Sequence, residues 1–196
     1  MSAPGKPIVR PVWSGYLVRE GDAIVDASSS VTMVEADGQL IVVDTGAPND
    51  RTRLVGTLKN MGVRPDSVNY VVNTHLHLDH CGGNELFEKA RLVAHELESP
   101  PVGSIRIRGR AEFVPGVELV PTPGHSPGSL SVFVEADVRV AICGDAIPTR
   151  NNFEKWVPPF INVDRKLALK SMEVIGSWAD MVIPGHDAPF NVVAKE

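Results

Sequence analysis

The apolar stretches of this sequence are short, and glycine or proline interrupts them throughout. The longest aliphatic run is Leu40 to Val43, about four residues, and the chain carries 17 Gly and 16 Pro. Such punctuation breaks a chain into many short elements. It leaves nothing near the roughly 20 apolar residues that a membrane-spanning helix needs. Hydrophobic residues make up 43 % and charged residues 22 %, which excludes coiled coil, collagen and intrinsic disorder. A chain of 196 residues hides roughly 70 % of its unfolded surface, so residues 1–196 are expected to form a single domain.

Strands are predicted near Val12–Val18, Ser30–Glu35, Gln39–Asp44, Val68–Val72, Arg91–Ala94, Ile105–Arg108, Val117–Pro121, Leu130–Glu135, Val138–Cys143 and Met181–Ile183. One helix is predicted from Asn49 or Asp50 to about Met61, with Leu54, Leu58 and Met61 at helical spacing. Another runs from Asp164 to about Ser177, with Leu167, Met172 and Ile175 facing in, and a short one covers Glu85–Lys89. No regular βαβα alternation appears, so two sheets with helices outside them fit better than a doubly wound parallel sheet.

With 19 Lys+Arg against 24 Asp+Glu the net charge is −5, which disfavours a general nucleic-acid binder. Two cysteines make no disulfide framework. Reduced thiols and the lack of an apolar leader in the first seven residues predict a cytoplasmic protein.

The chemistry is concentrated in His75-Leu76-His77-Leu78-Asp79-His80. Four potential metal ligands fall within six residues, directly after a buried strand, and three of the chain's six histidines are among them. In extended chain His75 and His77 point to one side. A following turn can bring Asp79 and His80 back to the same region. Imidazole with carboxylate suits Zn²⁺, Fe or Mn²⁺; the alternative is a polar loop that is merely rich in histidine. His125, Asp145 and His186 each follow a glycine at a predicted strand end, where backbone can approach a cavity closely. Together these residues suffice for two adjacent metals.

The order His75-x-His77-x-Asp79-His80, Gly-His125, Gly-Asp145, Gly-His186 resembles the metallo-β-lactamase superfamily, over about Val31 to Phe190. Within it the pattern is similar to the glyoxalase II-like hydrolases. The short length and the ending Pro184-Gly185-His186-Asp187-Ala188-Pro189-Phe190 look like the family of metallo-β-lactamase domain-containing protein 1. The resemblance implies an α+β fold, a four-layer αββα sandwich with metals at one rim. It implies that His75, His77 and His125 hold a first metal ion, that Asp79, His80 and His186 hold a second, and that Asp145 bridges them. Asp44 matches an aspartate that orients a ligand histidine; a turn-capping role is the alternative. The chain also departs from relatives. Asp145 stands where many true lactamases carry cysteine, and Pro148 stands where lactonases of this fold often carry tyrosine. Flavodiiron oxidoreductases usually have Glu where His77 stands, and the inserted arms of dedicated nucleases are absent.

The expected activity is that of a dinuclear metal-dependent hydrolase. A metal-bridging hydroxide would cleave a small ester, thioester or lactone, with two divalent ions, Zn²⁺ first and Fe or Mn as alternatives. Asp79 would orient the hydroxide or relay a proton. The loop from Asn151 to Phe160 holds Phe153, Trp156 and Phe160, a candidate pocket wall; a satellite cluster or a homodimer contact would account for it equally. Arg106, Arg108 and Arg110 alternate and, if extended, make a cationic row that favours an RNA phosphodiester substrate. Charge protecting an edge strand is the plainer reading of that row. A metal-stabilised binding protein with little turnover is the remaining alternative. His95, Cys81 and Cys143 are read as packing residues.

Overall fold

The structure is a computed structural model and describes residues 5–21 and 23–192. Strands β1 (Ile8–Trp13), β2 (Tyr16–Glu20), β3 (Ala23–Ser28), β4 (Val31–Ala36) and β5 (Gln39–Val43) lead to helix α1 (Arg51–Asn60). Next come β6 (Tyr70–Val72), α2 (Leu78–Cys81), β7 (Arg91–His95) and β8 (Ile105–Ile107). The second half holds β9 (Ala111–Val114), β10 (Val117–Pro121), β11 (Leu130–Glu135), β12 (Arg139–Gly144), α3 (Arg150–Glu154), α4 (Arg165–Trp178), β13 (Met181–Pro184) and β14 (Phe190–Asn191). One six-stranded sheet has the order β1-β4-β5-β6-β7-β8, the other β14-β13-β12-β11-β10-β9, and β2 and β3 form a separate hairpin.

Alternation along the strands produces the layers, because successive side chains of a strand leave opposite faces. In β4, Val34 and Ala36 enter a central cluster with Leu130, Val132 and Val134 of β11, and Ile142 of β12 joins them. Val31 and Met33, one residue out of phase, face away and pack with Leu54 and Leu58 of α1. Likewise Phe133 of β11 and Ala141 and Cys143 of β12 turn outward to Met172 and Ile175 of α4. The result is the expected order of helix, sheet, sheet, helix. Leu54 and Leu58 are fully buried, each contributing about 1.5–3 kcal/mol. Phe133 and Trp178 stack with centroids 4.2 Å apart, tying the last turn of α4 to its sheet.

Strand direction explains where the site lies. β5 and β6 are parallel, as are β12 and β13, and β10 shares their sense because two antiparallel steps separate it from β12. The carboxyl ends of β5 and β6, and those of β10, β12 and β13, therefore open onto one rim, the usual place for ligands in such sheets.

Several expectations need correction. Val12–Val18 is two strands, broken at Ser14-Gly15, because Gly15 packs where any Cβ would overlap the Gly185 carbonyl oxygen and the Ser28 and Ser30 backbone. In α4 the inward residue is Ala168, against Gly124, whereas Leu167 is exposed. The short helix expected at Glu85–Lys89 is one 3-10 turn over Asn84–Leu86. Helices α2 and α3 and strands β3, β9 and β14 were not expected. Each arginine of the expected cationic row already has a partner. Arg106 donates to the Pro100 carbonyl oxygen, Arg108 meets Glu96 at 2.8 Å, and Arg110 pairs with both oxygens of Glu118 at 2.6 Å. β8 is the edge of its sheet, as the plainer reading required. Among the described residues no helix is long and apolar enough to cross a membrane.

Candidate metal centre

β6 ends at Val72, and the loop that follows turns into α2 with His77 at its N-cap. The backbone N–H of Thr45 and the Asn73 side chain both donate to the His80 carbonyl oxygen, at 2.8 and 3.2 Å, which fixes the fold of this loop. His75 Nε2, His77 Nδ1 and His125 Nε2 converge at 3.0, 3.0 and 3.2 Å from one another. These separations are near the ~3.3 Å edge of a tetrahedron of nitrogens around zinc. On the other side of Asp145, His80 Nε2 and His186 Nε2 lie 3.3 Å apart. Asp79 Oδ2 is 3.4 Å from His186 Nε2 and 3.9 Å from His80 Nε2.

Asp145 stands between the two groups. Its Oδ1 is 3.1 Å from His186 and 3.4 Å from His80, and its Oδ2 is 3.6 Å from His125. Oδ1 is buried and makes no hydrogen bond. A buried carboxylate oxygen without a partner is costly. Together with converging imidazole nitrogens, it is what a cation between these atoms would satisfy, so the donor set fits divalent metal. Three overlapping groups could hold an ion: His75, His77 and His125; His75, His80 and Asp145; Asp79, His80 and His186.

The opposite edges of the rings are also held. Asp44 Oδ2 accepts from His80 Nδ1 at 2.7 Å, the Ile161 carbonyl from His125 Nδ1 at 2.8 Å, and the Ser28 carbonyl from His186 Nδ1 at 3.0 Å. These partners only accept, so each Nδ1 presents its proton to them and each Nε2 is the ring nitrogen turned toward the site. Asp44 adopts φ +55°, a rare conformation for a residue with a side chain. It is pinned there by the backbone and hydroxyl of Thr74, at 2.8 and 2.7 Å. Turn capping alone does not describe it.

Charge is sorted across the site. Burial, reinforced by His80, holds His75 well below the usual imidazole range, and burial also lowers His125. For His80 burial acts downward, but Asp44 and Asp145 outweigh it and raise the group well above its usual value. His186 is raised in the same way, chiefly by Asp145 against burial. Burial alone would raise Asp145; His186 and His80 pull it well below the carboxylate range.

A cleft of about 630 Å3 opens over these groups. Leu17, Ile24 and Val25 of the β2–β3 hairpin, with Pro48, Leu78 and Ile161, give it an apolar rim. The aromatic expectations are only partly met. Phe153 does not line this cleft; it packs against Phe190 and Trp156, at 5.4 and 5.7 Å, and against Gly176 of α4. Trp156 does not line it either, and Phe160 borders an adjacent groove. His95 is buried and accepts from the Leu97 N–H. Cys143 is buried and Cys81 half-buried; burial raises both thiols. Sequence reading missed Glu98. Its Oε2 accepts from the Leu76 N–H at 3.0 Å, and its Oε1 from Ser126 Oγ and the Gly128 N–H at 2.6 and 2.9 Å. One carboxylate thus clamps the His75–His77 and His125 loops together, and nothing in Glu96-Leu97-Glu98-Ser99 signals it.

The family model described as the metallo-β-lactamase superfamily matches residues 24–106 and 97–186. The chain belongs to that superfamily. It is a metal-dependent hydrolase of this family. An N-acyl homoserine lactonase of Bacillus thuringiensis is 34 % identical over 215 residues, covering 94 % of this chain and 84 % of the lactonase. The metallo-β-lactamase domain-containing protein 1 of Xenopus laevis is 33 % identical, covering 97 % of this chain and 84 % of its own. A crystal structure of a putative metallo-β-lactamase from Thermotoga maritima superposes with a TM-score of 0.79 at 22 % identity, over 95 % of this chain and 99 % of the other, which speaks to the fold.

Proposed function

We propose that His75, His77 and His125 hold one divalent ion, that Asp79, His80 and His186 hold a second, and that Asp145 bridges them. The observation that carries this reading is the buried, unpartnered Oδ1 of Asp145 between two converging ligand groups. Imidazole and carboxylate donors suit zinc, with Fe or Mn compatible with the same set. When bound, such ions supply Lewis acidity and bring hydroxide formation within reach of neutral pH. The chain's own groups do the rest. Asp44 and the Ile161 and Ser28 carbonyls orient the rings. Asp79, whose side chain is 27 % exposed at the cleft, accepts a proton from the attacking water and returns it to the leaving group. Leu17, Val25, Leu78 and Ile161 receive the apolar part of the substrate and exclude water.

We infer that the substrate is a small ester, thioester or lactone. A cleft of about 630 Å3 matches a small molecule, and the likeness to a lactonase supports a cyclic ester. Pro148 supplies no phenol where such lactonases often carry tyrosine, so ring opening here relies on the metal ligands and Asp79. RNA is the weaker reading, because Arg108 and Arg110 are already held by carboxylates. The free thiols Cys81 and Cys143 support a reducing, cytoplasmic setting. Metal analysis of chelator-free protein, followed by a panel of thioesters, lactones and a structured RNA, tests the reading. About two ions per chain and turnover of the small substrates are expected; a stoichiometry that never exceeds one, or RNA as the better substrate, sinks it.

A further inference from the structure

Beside the metal cleft runs a second groove of about 690 Å3. Leu17 lines both depressions. The groove's Phe160 is followed directly by Ile161, which lines the cleft and accepts from His125 Nδ1. At the other end of the same segment, the Pro148 carbonyl accepts from the His186 N–H at 2.7 Å. The groove is therefore built on the backbone that holds two of the histidines, and it adjoins the cleft at Leu17.

Its charge is of one sign. Arg19, Lys155 and Arg165 line it, and no aspartate or glutamate does. Among the described residues none of the three has a carboxylate within ion-pair distance, whereas Arg139 and Arg150 are held by Asp180 and Glu154. The Arg19 guanidinium lies 5.0 Å from the Phe160 ring centroid. Such a contact positions a guanidinium while its N–H donors stay available for a planar anion. Three grouped cations in a chain of net charge −5 repel one another, and an anion between them relieves that repulsion. The groove is also prebuilt. Asn152 donates to the Val157 and Pro158 carbonyls, Asn162 donates to those of Pro159 and Phe160, and both prolines are buried. A preformed site costs little ordering on binding.

We propose that this groove binds an anionic group, a carboxylate or a phosphate, at the end of the substrate remote from the bond that is hydrolysed. The proposal rests on the reading of the metal cleft as a hydrolytic site and narrows its substrates to anionic esters, thioesters or lactones. Val157 and Phe160 accommodate the connecting carbon chain, and the three cations accommodate its terminus.

The test uses acyl thioesters and lactones in matched sets whose tails end in methyl, carboxylate or phosphate, with the metal-loaded protein. The ratio of kcat/KM, anionic over neutral, is expected to be about tenfold at low salt, the scale for three exposed charge contacts. It should fall toward one at high salt as the charges are screened. Arg19→Gln, Lys155→Gln and Arg165→Gln combined should bring the ratio within about twofold of one. Arg64→Gln, which removes a charge elsewhere on the surface, should leave it unchanged. A gain confined to the carboxylate or to the phosphate tail supports the proposal and identifies the group. A ratio near one at low salt, or one that survives the triple change, overturns it. Glutarate and propyl phosphate binding to the metal-loaded protein and to its triple variant, followed by NMR at the groove residues, separates the two readings. If no substrate is turned over, the hydrolytic reading fails, and anion binding that is lost in the triple variant still supports the groove. If neither probe binds at millimolar concentration, the groove proposal falls.

Discussion

Asp44 Oδ2 and His80 Nδ1 are 2.7 Å apart, and the aspartate that makes this contact sits at φ +55°. Asp44→Asn keeps the size of the side chain and tolerates that backbone, so it isolates the negative charge. Loss of a carboxylate behind a ligand histidine typically costs 10–100-fold in metal affinity. Chelator competition should show a loss of that size, and an unchanged affinity would remove Asp44 from the site.

Asp145→Ala should abolish at least about a hundredfold of the activity and lower the metal content if, as proposed, this carboxylate serves both candidate ion positions. His95→Ala removes a hydrogen bond to Leu97 and touches neither position. It should cost about 1 kcal/mol of stability with metal content intact. Elemental analysis and thermal unfolding of the two variants side by side separate these outcomes.

Removing Glu98 frees two loops at once. Glu98→Ala leaves the Leu76 and Gly128 N–H groups without their acceptor, and each unsatisfied buried donor costs about 1–3 kcal/mol. Denaturant unfolding should report the sum of the two, a loss of about 2 kcal/mol or more. Metal affinity should fall with it, whereas a stability loss with unchanged affinity would make Glu98 structural only.

Gly144 has φ +48°, and a Cβ there would overlap the Thr74 hydroxyl that bonds Asp44. Gly144→Ala therefore strains the backbone and displaces Thr74 from Asp44. About 2 kcal/mol or more of lost stability is expected, together with weaker metal binding; a variant as stable as the parent would contradict this account.

Asp180 carries the clearest pH signature outside the site. Hydrogen bonds from the Arg139 guanidinium, then from its backbone N–H, lower its carboxyl to about 2. A depressed carboxyl stabilises the fold above the unfolded value of roughly 4 and loses that contribution as pH falls through its folded value. The stability difference between parent and Asp180→Asn should be present at pH 7, shrink between pH 4 and 2, and be reduced by salt because the pair is exposed.

Much of this was legible from residue order. β10 and β11 match their predicted bounds, since alternating apolar residues run between clear turns. Asp164 caps α4 as its position before the helical pattern suggests, accepting from Lys166 and Leu167. The ligand candidates were readable because each stands just past an apolar run. What stayed hidden depends on tertiary contacts. β3 and β9 have largely exposed residues and little apolar alternation. Helix α3, Arg-Asn-Asn-Phe-Glu, has no apolar period and is held by its Thr149 cap and by Phe153 packing on Phe190. Leu167 fits the helical period, yet the close approach of Gly124 assigns the buried place to Ala168. Glu98, three-way acceptor though it is, looks from the sequence like any surface glutamate.

The two sheets divide the chain near Gly109, and so do the candidate ligands. His75, His77, Asp79 and His80 lie before that point; His125, Asp145 and His186 lie after it. Each of the three candidate groups takes two members from the first half and one from the second. If the backbone were cleaved at Gly109, metal would become the currency of reassembly: each fragment would bring an unfinished coordination sphere, and only the mixture could close it.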